Sequence, residues 1–537
     1  MSEPASGRPL GAQLSHMLRA RGVDVIFGIP GVHNQEMYRG IEEAGITHVL
    51  TRHEQGAGFM ADGYARATGR PGICYIITGP GLCNIMTPLG QAYSDSVSVL
   101  AISSCLPQGG TDDGRLHEML DQRGAGAAVC DWSHEAESPE DAYARIDQAL
   151  AEFRDRRPRP KHLQVPIPML EGAAPEFPVE PVQQPAPPLA PDAGQIAEAA
   201  KLLAAARRSL VIVGGGARLA APAARALVAH LKAASLASYA GRGVIEPDDP
   251  LHLGSVLARP DSAEMIASSD CVLVVGSVLA EVDIWRDSPG FGDGAKVIRI
   301  DIDPSVLSRD PRVDLAIRAD AGLALEALSS AVTGTISRST WTTSETLDAR
   351  RRWRAQVEAE RPGILPVADA MREVLPEDAL IYSDMTQFAY ATKEVYPLKH
   401  PGLWHHPYGF GTLGYALPAA IGGKIGVGDR AVIAIAGDYG FQYTIQELGV
   451  AVELGLSLPI LLWDNGKLGE IEASMVRAQI APNAVIQRNP DFIKLAEAYG
   501  AASAQPSSLA EFKCDLAAAL KTDGPTIIRV TSDVALS

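Results

Sequence analysis

Ala436-Gly437-Asp438-Tyr439-Gly440-Phe441-Gln442, followed after a gap by Trp463-Asp464-Asn465-Gly466-Lys467, is the stretch that decides the fold. The apolar run Ala431-Val432-Ile433-Ala434-Ile435-Ala436 leads into Gly437-Asp438 and reads as a buried parallel strand. Asp438 then falls at the strand's carboxyl end, where ligands bind in open α/β sheets. Gly440 lets the backbone come close to a ligand. Residues 444–454 read as helix and residues 459–463 as a second buried strand, which Asp464-Asn465 ends. A strand–helix–strand unit therefore carries Asp438 and Asn465 to one sheet edge. A carboxylate and an amide oxygen are hard donors, suited to Mg²⁺ or Ca²⁺ shared with a phosphate. Taken singly, Asp438 reads equally as a helix N-cap and Asn465 as a turn residue. The paired spacing is what argues for a ligand.

Composition bounds the rest. The 537 residues suggest roughly three or four domains. Hydrophobic content of 46% and charged content of 21% are those of a soluble globular protein. A net charge of −17 argues against a nucleic-acid partner. The six cysteines are scattered without a CxxC pair, which argues against a zinc site or disulfide framework and fits a reducing compartment. There is no apolar signal core at the N-terminus and no apolar run of transmembrane length. The expectation is a cytoplasmic enzyme acting on a small molecule, with no membrane partner.

Working outward, the first part of the chain alternates helix (10–21), strand (23–27), the turn Gly28-Ile29-Pro30-Gly31, helix, and strand (47–50). Residues 52–66 then form a helix opened by Glu54 and rich in small residues, so it can pack closely. Strands at 72–78, ending in Gly79-Pro80-Gly81, at 97–103 and at 162–165 complete a doubly wound parallel pattern. Pro-rich residues 175–191 read as an extended linker. A second α/β pattern has strands at 210–213, 271–275 and 297–302. Gly214-Gly215-Gly216 follows the first of these, a weak dinucleotide signal and more often a tight turn. A polar connection and a charged helix lead to a third unit, with a strand at 379–383 and Asp384-Met385-Thr386-Gln387 at its carboxyl end. The expected fold is α/β, with three doubly wound parallel-sheet domains at 1–172, 193–335 and 363–537. A linker at 173–192 and a connection at 336–362 join them.

Three stretches, Arg52 to Arg66, Gly411-Thr412-Leu413-Gly414 and the Asp438/Asn465 unit, resemble in this order the thiamine diphosphate-dependent acetolactate synthase and 2-oxoacid decarboxylase superfamily. The metal motif departs twice from the usual Gly-Asp-Gly and Asn-Asn, at Tyr439 and Asp464. Gly114 to Glu118 with Asp121-Gln122, and Asp464 to Lys467, look most like the 5-guanidino-2-oxopentanoate (2-ketoarginine) decarboxylase branch. The resemblance implies a pyrimidine-binding, a central and a diphosphate-binding domain. It also implies a homodimer at minimum, with a homotetramer favoured.

The cofactor's thiazolium C2–H must be lost for it to act as nucleophile and electron sink. The implied role of Glu54 is a hydrogen bond to the aminopyrimidine ring nitrogen, favouring the tautomer that takes the C2 proton. By itself, Glu54 would read as a carboxylate complementing the helix dipole. Leu413, which alone reads as core, is the implied support that keeps the cofactor bent. Asp438, Asn465 and the carbonyl of Lys467 are the implied Mg²⁺ ligands. Gly31, Gly81, Asn84, Met385, Thr386, Gly411, Gly437, Tyr439, Gly440 and Leu468 are the remaining implied cofactor contacts. On the substrate side stand His117, Glu118, Gln122 and Glu470. A guanidinium tail would want paired carboxylates, with Asp112, Asp113, Glu118, Asp121, Glu470 and Glu472 as candidates, although charge runs are more often solvated surface. His53 reads evenly between structure and active site, whereas His405 and His406 read as structural. The favoured activity is a non-oxidative 2-oxoacid decarboxylase. A carboligase joining two 2-oxoacids, as acetolactate synthase does, would share every cofactor residue. A non-catalytic cofactor-binding protein is the reading from a different class, and the retained Glu54 argues against it.

Overall fold

The computed structural model describes residues 7–107, 114–310 and 312–535. Asp112 and Asp113 lie outside the described residues. Three parallel sheets follow one another along the chain. The first holds β1 (Val25–Gly28), β2 (Thr47–Leu50), β3 (Gly72–Ile76), β4 (Val99–Cys105), β5 (Trp132–Glu135) and β6 (Lys161–Pro166), in the order β2-β1-β3-β4-β6-β5. The second holds β7 (Ser209–Val213), β8 (Ala234–Ala237), β9 (Cys271–Val275), β10 (Lys296–Asp301) and β11 (Leu315–Arg318), in the order β11-β10-β9-β7-β8. The third holds β12 (Leu380–Ser383), β13 (Trp404–His405), β14 (Val432–Gly437), β15 (Leu458–Trp463), β16 (Ala502–Ala504) and β17 (Pro525–Val530), in the order β13-β12-β14-β15-β17-β16. β3, β4, β7 and β15 are buried along their whole length, as expected when helices cover both faces of a sheet.

The three doubly wound domains expected from the sequence are the ones that form. β5, β8, β11, β13 and β16 escape the sequence reading, and all five are sheet edges. These five are only two to four residues long, so none carries an apolar run long enough to announce a strand. β17 is central, and its Thr-Ile-Ile-Arg-Val signal lies beyond the motif that anchors the reading. Residues 444–454 are not one helix: a 3₁₀ turn, Ile445–Glu447, leads into the helix Leu448–Glu453.

The first and third domains share a core. The helix Glu54–Thr68 lies against the helix Ala416–Val427, and both are built from small residues. A Cβ on Gly63 would collide with the carbonyl of Ala419, and one on Gly422 with the carbonyl of Met60. Tyr382 reaches across to donate to the Gly63 carbonyl at 2.7 Å. The central domain keeps cores of its own, one of which takes in Trp341 and Trp353 from the connecting segment. Gly214 and Gly216 pack against the Gly276–Ser277 turn after β9, so these glycines serve a close approach of two loops. The Pro-rich linker is held to the first domain, where Arg21 donates to the carbonyls of Pro178 and Val179.

Candidate active site

β2 ends at Leu50, and the chain turns through Thr51, Arg52 and His53 into the helix Glu54–Thr68. His53 caps that helix, its Nδ1 accepting the Gln55 amide at 3.1 Å. Glu54 thus sits in the first turn, where a carboxylate complements the helix dipole. Its side chain is buried, at 7% exposure, and Oε2 accepts a hydrogen bond from Asn84 Nδ2 at 2.9 Å. Asn84 lies on the helix Pro80–Asp95, which opens immediately after β3. A Cβ on Gly81 would stand 3.5 Å from Glu54 Oε1, so that oxygen faces the start of this helix. Gly31 and Gly81 both border Ile77. Glu54, Gly81, Asn84 and Gly31 are therefore gathered at the carboxyl edge of the first sheet.

The second group forms at the carboxyl edge of the third sheet, where β12, β14 and β15 are neighbours. Asp438 is 2% exposed, and its Oδ2 accepts hydrogen bonds from the Gly466 amide at 2.9 Å and Asn489 Nδ2 at 2.6 Å. Asp438 opens the short helix Asp438–Phe441 as its first residue, and the N-cap position belongs to Gly437. Asn465 Nδ2 donates to Gln387 Oε1 at 2.9 Å, while its Oδ1 accepts the Lys467 amide at 3.2 Å. Asp464 pairs with Arg529 at 2.6 Å and shares Asn489 with Asp438. Burial raises the Asp438 carboxyl above its usual range, and the nearby Asp464 charge adds to this against the hydrogen bond from Asn489. Two buried carboxylates around one amide are a pair that a divalent cation would stabilise.

The glycine loop joins this group. Asp384 accepts the amides of Met385 and Gly414, both at 2.8 Å, and burial pushes its carboxyl up to about 6. A Cβ on Gly440 would lie 2.9 Å from Asp384 Oδ2 and 3.4 Å from Leu413 Cδ2. Gly411 takes a left-handed φ of 68° beside the Met385 methyl, and Gly437 lies against Thr386. The Tyr439 ring packs on Tyr443, with centroids 6.0 Å apart. Lys467 pairs with Glu472, and the Leu468 amide donates to the Val485 carbonyl. Among the described residues no three His, Cys, Asp or Glu side chains cluster as a metal site. The donors gathered here are a carboxylate, an amide oxygen and a backbone carbonyl, the hard set that Mg²⁺ takes together with phosphate oxygens. The residues present fit a metal-bound diphosphate.

Sequence comparison extends these two groups to the whole chain. Residues 8–125 match the N-terminal TPP binding domain of thiamine pyrophosphate enzymes, residues 196–328 their central domain and residues 384–530 their C-terminal TPP binding domain. A Pseudomonas aeruginosa protein named as a probable 2-ketoarginine decarboxylase is 42% identical over 533 residues, covering 98% of this chain and 95% of that protein. The chain belongs to the thiamine pyrophosphate enzymes. The large subunit of acetolactate synthase isozyme 2 of Escherichia coli is 30% identical, covering 97% of this chain and 95% of that protein. An acetolactate synthase of Arthrospira platensis is 29% identical, covering 96% and 93%.

Several residues of this thiamine pyrophosphate enzyme are not singled out as site residues by the sequence, although Gln387 falls in the run that ends the 379–383 strand. Gln387 and Asn489 orient Asn465 and Asp438, yet they stand 78 and 51 residues from their partners. Only the Asn-Pro-Asp turn at Asn489 marks it at all. On the substrate side, His117 and Glu118 line one cavity of about 320 Å³, together with Gln122. Gln122 Oε1 accepts the Gly79 amide at 2.8 Å, and His117 packs edge-on against His33. Glu470 stands in the third domain and receives Arg361 through two hydrogen bonds of 2.9 and 3.1 Å. Burial alone would raise that carboxyl, but Arg361 holds it below its usual range. His405 and His406 are fully buried, and burial pushes both well below the usual imidazole range.

Glu447 is the other residue the sequence did not signal. It is fully buried between the first and third domains, and its Oε2 accepts the Arg52 amide at 3.1 Å. A Cβ on Gly56 would run into its carboxyl group. Glu447 therefore fixes the turn that presents Glu54. Burial, with the Glu54 charge adding, raises its carboxyl from 4.5 to about 7, against the hydrogen bonds and charge of the Arg52–His53 turn. Between those values the folded protein holds a proton that the unfolded chain has released, so stability falls as pH rises through this window. The full loss would approach ~3 kcal/mol. Glu447→Gln keeps the shape and removes the effect. Thermal midpoints at pH 5 and pH 8 should drop more for the wild type than for the variant, and equal drops would count against this assignment.

Proposed function

We propose that the chain is a thiamine diphosphate- and Mg²⁺-dependent non-oxidative decarboxylase of a 2-oxoacid. Its favoured substrate is 5-guanidino-2-oxopentanoate, giving 4-guanidinobutanal and CO₂ in arginine catabolism. The observation that carries the reading is 42% identity, over 98% of the chain, to a protein named for that activity, against 30% to an acetolactate synthase. The buried Glu54–Asn84 pair supports an active enzyme over a non-catalytic cofactor binder. In this reading Asp438, Asn465 and the Lys467 carbonyl hold the metal, and Leu413 supports the cofactor. Bound there, thiamine diphosphate supplies the carbanion-stabilising centre. Glu54 binds the aminopyrimidine and governs the proton at its ring nitrogen, while Asn84 keeps the carboxylate aimed.

The family resemblance is what supports the assembly in this reading, a cytoplasmic homodimer at minimum, with a homotetramer favoured and the site completed between subunits. Light scattering that finds an active monomer would overturn that part. A panel of 2-oxoacids assayed with thiamine diphosphate and Mg²⁺, reading CO₂ and the organic product, tests the reaction. The expected result is a preference of roughly 10²-fold in kcat/KM for 2-ketoarginine over an uncharged 2-oxoacid of similar length. Better turnover of pyruvate or phenylpyruvate would refute the substrate. The likeness to acetolactate synthases keeps a carboligase in view, and acetolactate formed from pyruvate would select it.

A further inference from the structure

Asn465 can serve as a metal ligand only if its amide points the right way. The oxygen and the NH₂ of an asparagine amide have nearly the same shape, so the neighbours decide which of them faces a cation. Asn465 Nδ2 donates to Gln387 Oε1 at 2.9 Å. Its Oδ1 is thereby turned toward the Gly466–Lys467 turn, where it meets the Lys467 amide at 3.2 Å. Gln387, with its oxygen so engaged, has Nε2 left to offer, and its side chain donates a hydrogen bond to Glu470. A Cβ on Gly469 would lie 2.8 Å from Gln387 Nε2, so the bare backbone there gives the amide its place beside Glu470.

Glu470 stands in the first turn of the helix Gly469–Arg477. Arg361 meets it with a fork, Nε donating to Oε1 at 2.9 Å and Nη2 to Oε2 at 3.1 Å, the geometry of a strong charge-assisted pair. Arg361 follows directly on the helix Thr343–Glu360, and Glu360 lies 3.3 Å from its Nη1. The Glu360 carboxylate also takes Arg259 of the central domain through two hydrogen bonds of 2.5 and 3.0 Å. One side-chain path therefore runs Arg259, Glu360, Arg361, Glu470, Gln387, Asn465. It begins in the central domain and ends at the metal motif. Arg361, Glu470, Gln387 and Asn465 are all half-buried.

We infer that the Arg361–Glu470 pair sets the direction of this hydrogen-bond chain and so keeps the Asn465 oxygen on the metal side. The inference rests on the reading of Asn465 as a Mg²⁺ ligand given above. An ionised carboxylate only accepts, so the Gln387 atom that faces it must be the NH₂. The Gln387 oxygen then faces Asn465, the Asn465 NH₂ faces Gln387, and Oδ1 is left for the cation. A neutral amide at position 470 would reverse the chain. Its one oxygen would go to the Arg361 fork, which only donates, and its NH₂ would face Gln387. Gln387 would turn its own oxygen to meet that NH₂, and Asn465 would follow with its NH₂ toward the metal, where a hard cation finds no ligand. Glu470 is thus a positioning residue that acts through Gln387 and Asn465.

The test titrates Mg²⁺ into the full-length enzyme at a fixed concentration of thiamine diphosphate, read by calorimetry. It compares wild type, Glu470→Gln, Gln387→Leu and the double variant, with circular dichroism and thermal midpoints as folding controls. Half-saturation should need about 10–100-fold more Mg²⁺ in Glu470→Gln, the usual weight of a group that orients a metal ligand. In the Gln387→Leu background the chain is already cut, so the same exchange should move half-saturation by less than roughly threefold. A folded Glu470→Gln enzyme that half-saturates within roughly threefold of wild type overturns the relay and leaves the metal reading standing. So does an effect of Glu470→Gln that Gln387→Leu does not diminish. A lost preference for 2-ketoarginine over 2-oxohexanoate with half-saturation unchanged also overturns it, and makes Glu470 a substrate contact. If Glu470→Gln fails to fold, Gln387→Leu decides by the same threshold. Wild-type cofactor binding that is indifferent to Mg²⁺ and to EDTA overturns the metal reading and the relay together.

Discussion

Glu54→Gln should slow turnover by roughly 10²–10⁴, the usual weight of a positioned acid or base, while leaving cofactor binding nearly unchanged. The exchange is close to isosteric. Asn84 Nδ2, which donates to Glu54 Oε2 at 2.9 Å, can donate equally to an amide oxygen. The first-turn position and the His53 cap also stay as they are. What disappears is the negative charge that, in the proposed role, would bind and polarise the aminopyrimidine from a buried position, where an interaction with the ring nitrogen is stronger than in water. Steady-state kinetics with saturating cofactor, paired with a calorimetric measurement of cofactor affinity, separate the two effects. Near-normal turnover in the variant would remove Glu54 from its assigned role.

Asp438→Ala should abolish metal-dependent retention of the cofactor. Asp438 would do more than ligate the metal in this arrangement. Its Oδ2 also holds the Gly466 amide and Asn489, so its loss frees the turn that presents Asn465 and Lys467. The remaining carboxylate nearby, Asp464, is committed to Arg529 at 2.6 Å and cannot take over. Calorimetry with thiamine diphosphate and Mg²⁺, with and without EDTA, reads the outcome. Binding that is unchanged in the variant and insensitive to EDTA would sink the assignment.

The parts of this site that were legible in the sequence share one property. Glu54, Leu413, Asp438 and Asn465 lie at the ends of buried strands or at the starts of small-residue helices, where local patterning is strong. The residues that escaped, Gln387, Asn489 and Glu447, act across 78, 51 and 395 residues of chain on partners that only folding brings near. Nothing in Ile445-Gln446-Glu447 distinguishes a buried latch from a solvated glutamate. The same limit explains the strands. The central ones announce themselves by continuous apolar runs, whereas edge strands such as Trp132-Ser133-His134-Glu135 do not. Glu470, an acidic residue after the metal motif, stands out in the sequence as a substrate-side candidate, and only the fold shows that an arginine of the chain itself, Arg361, lies against it.

The seam between the helices Glu54–Thr68 and Ala416–Val427 has a consequence for how the protein is made. The hydrogen bond from Tyr382 to Gly63 spans 319 residues, and the glycine faces on either side of it fit only each other. At ~5–20 residues per second of synthesis, the helix that carries Glu54 leaves the ribosome roughly 20–70 s before its partner exists. Through that interval Phe59 lacks the Tyr415 ring it packs against, and Met60 and Gly63 lack the Gly422 and Ala419 backbone that covers them. The central domain, with self-contained cores, is free to fold meanwhile. The nascent chain thus passes through a stage with a finished middle and an open beginning, and a holding chaperone would find its binding surface in the first 70 residues, in the helix Glu54–Thr68.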